Sequence, residues 1–224
     1  TERAAYCWGH NADGEVGDSS YSDKWTPVAV KGGFTFQSLS AFLYSACGIT
    51  SGGAAYCWGS NFYGELGADV PTASEFWPPG PVTGGLTFQC LAAGSGHTCG
   101  STSTGAAYCW GANNWGQVGD GTTTGRGAPS AVAGGPILPV LSAGEGHTCG
   151  LDGVGAAYCW GRNVYGQLGD GTTTDRLTAT PVLGGLAFRS IAAGSGHTCG
   201  LTAAGAAYCL GWNVYGQLGD STTT

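Results

Sequence analysis

The chain reads as an all-β protein: a β-propeller of four-stranded antiparallel blades, each about fifty residues long, carrying cross-strand disulfides. Three observations predict this. The string Ala-Ala-Tyr-Cys, then Trp or Leu, then Gly, occurs five times. Its tyrosines are Tyr6, Tyr56, Tyr108, Tyr158 and Tyr208, at steps of 50, 52, 50 and 50 residues. Eight of the 10 cysteines fall into pairs ten residues apart. No segment of useful length has the apolar period of a helix.

Each strand can be read from the copy at residues 186–219. Leu186–Gly194 alternates apolar with small or polar residues and reads as a first strand. His197–Leu201 is a second strand and Ala206–Leu210 a third, followed by a long loop over Asn213–Asp220. In the preceding repeat this loop continues through Thr172–Thr174 into a short fourth strand at Thr180–Leu183. Pro181 suits an edge position there, where its missing N–H costs no ladder bond. Third strands are expected at residues 4–9, 54–59, 106–111, 156–161 and 206–211, and residues 1–224 read as one repeat domain of about four and a half blades.

The cysteine pairs are Cys47 with Cys57, Cys99 with Cys109, Cys149 with Cys159 and Cys199 with Cys209. Partners set directly opposite leave three-residue loops: Ser51–Gly53, Ser103–Gly105, Gly153–Gly155 and Ala203–Gly205. The third loop residue is glycine every time, as a hairpin needs when that position takes a positive φ. Four cross-strand disulfides are expected, each contributing about 2–3 kcal/mol by loop closure; buried free thiols are the alternative. Zinc sites use shorter ligand spacings than these, so no metal is expected. His97 and Cys99 share a strand face, and the histidine reads as a structural hydrogen-bonding residue. Disulfides point to an oxidising compartment, hence an extracellular or cell-surface protein.

Two cysteines are left over. The hairpin partner of Cys7 would fall before residue 1, and Arg3 stands where the other repeats carry the loop glycine. That departure suggests that no hairpin was made there and that the amino terminus is natural. Cys90 stands where other repeats have Ser38 or Ser190. The two are expected to pair with each other or across a subunit boundary. A free Cys90, or an excerpt from a longer array, are the competing readings. Methionine is absent even at position 1, which implies either a removed leader or a longer chain.

Composition narrows the function. Charged residues are 9% of the chain, against roughly 25% in ordinary globular proteins. Net charge is −7 with only 7 Lys and Arg and no basic cluster, which argues against nucleic acid. No apolar run of about 18 residues exists to span a membrane as a helix. Hydrophobic residues at 42% set the 44 glycines apart from a disordered composition.

The strings Gly196–Leu201, Ala157–Gly161 and Asn163–Asp170 resemble repeats of the regulator of chromosome condensation family, and the resemblance covers nearly the whole chain. It implies a β-propeller, typically seven-bladed. The paired cysteines look like the secreted bacterial branch of that family. The founding member is a nucleotide-exchange factor for a nuclear GTPase and binds chromatin. Another propeller of this type inhibits β-lactamases, and others are scaffolds. The nuclear role fits poorly with disulfides and an acidic balance. Seven blades need more residues than this chain has.

Three functions compete. The first is an extracellular structural protein that assembles with copies of itself through incomplete blades, by strand addition or by disulfides at Cys7 or Cys90. The second is a monomeric secreted binding module, an inhibitor, adhesin or lectin-like propeller. Its contacts would come from Phe62, Tyr63, Phe76, Trp77, Trp115, Tyr165, Trp212 and Tyr215, although Tyr165 and Tyr215 are expected to pack between blades. The irregular stretch Asp69–Pro81 breaks the repeat most and is the best candidate for a private contact. The third, an enzyme, is disfavoured: repeat-equivalent histidines lie around a ring and do not converge. No cofactor is expected. The loops at Asp120 and Asp170 carry too few carboxylates to read as calcium sites. Their threonines could carry O-linked sugars.

Overall fold

The computed structural model describes residues 4–69 and 76–223. Among these residues there are strands and no helix. β1 (Tyr6–Gly9) and β2 (Lys24–Ala29) form a two-stranded half-blade. The first blade is β3 (Phe36–Phe42), β4 (Ser45–Thr50), β5 (Ala55–Gly59) and β6 (Phe76–Pro81). The second is β7 (Phe88–Ala93), β8 (His97–Thr102), β9 (Ala107–Gly111) and β10 (Arg126–Ala131). The third is β11 (Val140–Ala143), β12 (His147–Leu151), β13 (Ala157–Gly161) and β14 (Arg176–Pro181). The fourth has three strands, β15 (Phe188–Ala193), β16 (His197–Thr202) and β17 (Ala207–Gly211).

Every pairing is antiparallel between consecutive strands, so each blade is a meander. First strands of neighbouring blades touch, β3 with β7, β7 with β11 and β11 with β15, so they line the inside of the arc. Second strands of the first three blades are buried along nearly their whole length, because each is flanked by strands within its sheet and by neighbouring blades, whereas β16 of the fourth is half-buried. Fourth strands are partly exposed at the rim.

The second and third strands pair with cysteine opposite cysteine. All four pairs are disulfides, with Cα atoms 4.0–4.1 Å apart. The hairpin between them closes through Gly53 N–H donating to Thr50 O and Thr50 N–H donating to Ala54 O. Gly53, Gly105, Gly155 and Gly205 sit at φ +83°, +78°, +86° and +85°, the left-handed conformation that this loop requires.

Several strand bounds differ from expectation by one or two residues, and one differs by more. The fourth strand of the third blade is Arg176–Pro181, starting four residues earlier than Thr180. Its start is set by pairing of Arg176 with Gly161 across an irregularity in the ladder. Arg176 is also drawn inward by Asp170, a contact that strand periodicity does not encode. Arg3 and residues 70–75 of the irregular stretch lie outside the described residues.

Candidate functional site

The most regular side-chain arrangement is the seam between blades. Trp58 Nε1 donates to Glu15 O of the half-blade at 2.9 Å. Trp110 donates to Glu65 O of the first blade at 2.9 Å, and Trp160 to Gln117 O of the second at 3.0 Å. All three tryptophans are fully buried. Each indole lies against a glycine two residues beyond the accepting carbonyl. A Cβ on Gly17, Gly67 or Gly119 would stand 2.8, 2.7 or 2.6 Å from the indole nitrogen, so only glycine leaves room. In the last seam Leu210 takes the place of tryptophan, 3.0 Å from the Cβ position of Gly169.

Deeper in the same seams, His97 Nε2 meets Thr148 Oγ1 of the next blade at 2.9 Å, and His147 Nε2 meets Thr198 Oγ1 at 2.9 Å. Each threonine hydroxyl spends its single proton on a carbonyl, of Gln117 or Gln167. The histidine therefore donates from Nε2 and is neutral, with its lone pair on a buried Nδ1. Burial, and to a lesser degree the neighbouring histidine, hold His97 down at about 3 and His147 at about 4. Each ring ties its blade to the next, and rings of adjacent blades lie near enough to disfavour one another's protonation.

The long loops close on an asparagine. Asn113 Nδ2 donates to Asp120 Oδ1, Thr122 O and Thr124 O at 3.3, 3.0 and 3.0 Å. Asn163 repeats this with Asp170, Thr172 and Thr174, and Asn11 with Asp18, Ser20 and Ser22. An amide nitrogen thus sits among the oxygens that a calcium ion would need. Asp120 and Asp170 are also paired with Arg126 and Arg176. Burial works against their charge, but hydrogen bonds from the threonine and the arginine outweigh it and hold both carboxyls below the usual range. No group of three potential metal ligands occurs among the described residues.

Antiparallel topology places the loops after first strands and those after third strands on one face of the arc, and its aromatics run from blade to blade. Tyr63 lies over Gly96, Trp115 over Gly146 and Tyr165 over Gly196, each reaching the following blade. The Arg162 guanidinium lies 4.9 Å from the centre of Trp115 and 5.8 Å from that of Tyr165. Tyr165 stacks on Trp212 at 5.4 Å, and Tyr215 stands edge-on to Trp212 at 5.3 Å. Tyr165 therefore packs between blades, as the repeat suggested. Tyr215 does not, being 80% exposed. Phe62 projects from the same face. The backbone of Phe76 and Trp77 belongs to β6, and their side chains lie outside the described residues.

Cys7 and Cys90 are both free and sit in different clusters, Cys7 beside Ala5 and Trp58, Cys90 beside Leu141 and Trp160. Pairing between them is thus corrected: the repeat places them in separate sheets. Burial pushes the Cys7 thiol up. Sequence reasoning missed the tryptophan seats and the asparagine cages. Their signal is the recurrent run of Asn, Gly, Glu or Gln, Gly and Asp after each third strand, seen at Asn163, Gly166, Gln167, Gly169 and Asp170.

Comparison with known proteins follows this geometry. A family described as "Regulator of chromosome condensation (RCC1) repeat" matches residues 104–151 and 154–201. A second description of the same repeat matches residues 43–65, 88–117 and 188–217. No curated protein matches the chain. Among solved structures, Saccharomyces cerevisiae Prp20p, described with its binding to Gsp1p and histones, is 22% identical with a TM-score of 0.80 over 98% of this chain and 56% of that one. Human WBSCR16 is 20% identical with a TM-score of 0.78, over 87% of this chain and 52% of that one. The ectodomain of the Arabidopsis thaliana receptor kinase ACR4 is 23% identical with a TM-score of 0.51, over 83% and 52%. The chain therefore spans about half the length of the structures it resembles, and at these identities the likeness is one of fold.

Proposed function

Because the chain belongs to the regulator of chromosome condensation repeat family, we propose that it is a non-enzymatic protein-interaction module, acting outside the cell and assembling with other copies of itself as a structural element. The observation that carries this reading is the contrast between the sheets. The three central blades have four strands each, whereas the sheets at the two ends have two and three. Among the described residues β1 and β17 each lie at the edge of their sheet, and an edge strand takes up a further strand, whether from a longer stretch of the same chain or from a second copy. The end blades also bare their flanks: Tyr6, Trp8, Tyr208 and Tyr215 are exposed. Four intramolecular disulfides support an oxidising, extracellular setting.

Electron microscopy and sedimentation of the oxidised 1–224 chain, with and without reductant, test the proposal. Oligomers or filaments are expected. Monomers alone at every concentration would sink it.

A second reading, a monomeric binding module, is favoured by the aromatic face that runs from Trp115 through Arg162 and Tyr165 to Trp212 and Tyr215. Tyr165 and Tyr215 are exposed and Trp115, Arg162 and Trp212 half-buried, and aromatics with an arginine on a rigid frame suit a protein contact.

A further inference from the structure

We propose that the seam between the third and fourth blades binds a small planar aromatic molecule carrying one N–H donor, of the size and chemistry of indole. The inference is independent of the self-assembly reading. It starts from one replacement inside the repeat. Trp110 on β9 and Trp160 on β13 have Leu210 as their equivalent on β17.

The surrounding side chains keep their types. Between the first and second blades, Val82, Leu86 and Phe88 pack in one cluster with Trp110, and the rings of Phe88 and Trp110 lie 5.7 Å apart. Their equivalents Val182, Leu186 and Phe188 face Leu210 across a cavity of about 180 Å³. A leucine side chain is smaller than an indole, so it underfills a seat built to the same plan. Both walls of the cavity come from within the repeats, since its lining runs from Ala157 to Leu210.

The seat also keeps its acceptor. The carbonyls of Glu65 and Gln117 each accept two hydrogen bonds, one from a threonine hydroxyl and one from an indole N–H of the next blade. Gln167 O accepts one, from Thr198 Oγ1 at 2.8 Å, and leucine has no N–H to supply the other. Gln167 is buried. A carbonyl has two lone pairs, so one of them is left for a bound donor. The occupant follows from these two remainders. Apolar walls between packed elements take an aromatic ring, and a single buried acceptor orients it through an N–H. Three equivalent seats in the same chain already hold an indole, those of Trp58, Trp110 and Trp160.

Titration of indole into the 1–224 chain, followed by backbone amide shifts in proton–nitrogen correlation spectra, tests the site. Saturable shifts at Gln167, Thr198 and Leu210 are expected, with a Kd on the order of 0.1–1 mM for so small a ligand. Benzofuran has the same shape without the N–H and is expected to bind about 2–10-fold more weakly. Leu210→Trp puts an indole into the seat and is expected to abolish the shifts. Trp160→Leu, with circular dichroism confirming its fold, is expected to open a second site with new shifts at Gln117 and Thr148, between two four-stranded blades. Leu210→Trp decides the same point without removing a buried ring. No saturable shift in the wild-type chain, or the same shifts in Leu210→Trp, would overturn the site. Equal binding of benzofuran would overturn the part assigned to Gln167 O.

Discussion

The seam between the third and fourth blades and the flank beyond the fourth are built from equivalent residues with different fates. Leu168 and Gln167 are buried under Leu210 and the fourth blade, while their equivalents Leu218 and Gln217 are half-exposed. Trp160 is fully buried; its equivalent Trp8, at the opposite flank, is not. Asn213, however, stays as buried as Asn163. The difference teaches which contacts a repeat makes for itself. Asparagine finds its acceptors within its own loop. Tryptophan, histidine and threonine find theirs in a neighbouring blade. In a solenoid-like array such neighbour terms carry much of the stability.

The sharpest way to break this comparison is to remove the same residue at both places. Trp160→Ala is expected to cost about 3–5 kcal/mol, as for a tryptophan in a packed core. Trp8→Ala in dilute, unassociated protein is expected to cost less than about 0.5 kcal/mol, as for a surface position. Urea unfolding of both variants checks this. Equal losses would mean that burial at the seam is not what stabilises it.

Acid comes next. His97 and His147 are held neutral at about 3 and about 4, against 6.5 for a free histidine. Below pH 6.5 the unfolded chain takes up protons that the folded chain refuses, so stability falls as pH falls toward 4 and 3. The loss is on the order of a few kcal/mol for each ring. Unfolding midpoints measured from pH 7 to pH 4 are expected to fall, and His97→Gln is expected to flatten the slope. A variant with an unchanged slope would remove the histidine from this role.

Smaller effects sharpen the contrast. Asn163→Ala and Asn213→Ala are each expected to cost about 1–3 kcal/mol, because each removes an amide that donates within its own loop, to Asp170, Thr172 and Thr174 or to Asp220 and Thr222. A near-zero cost for Asn213→Ala, measured by chemical denaturation, would show that the loop depends on its neighbour after all. The smallest effect concerns Glu65, which is buried where later repeats have Gln117 and Gln167. Burial pushes its carboxyl up. Its ionisation therefore opposes folding, and the stability it contributes in acid is lost as pH rises from 4.5 through its raised value. Glu65→Gln is expected to stabilise the protein at pH 7 by about 0.5–1 kcal/mol, with the gain vanishing below pH 4.5. A gain that persists in acid would point to a different cause.

Much of this was legible in the chain. The period of the Tyr-Cys strings gave the blades, and the ten-residue cysteine spacing with glycine in each loop gave the hairpins. These signals are local: a loop of fixed length and a glycine at positive φ determine register without reference to distant residues. The start of β14 at Arg176 was less legible, because an ion pair with Asp170 sets it. Tyr165 and Tyr215 share a repeat position but not a contact, since Tyr165 meets Trp212 of the following blade and Tyr215 meets Trp212 of its own.

By itself the sequence determined the strands, their antiparallel order and which cysteines face each other, since these follow from alternation, turn chemistry and spacing along one stretch of chain. Only the tertiary structure decided which tryptophans are seated, which histidines are neutral and which glycines stand open. Those properties belong to pairs of blades. A residue's burial and its hydrogen-bond partner at a seam come from a segment some fifty residues away.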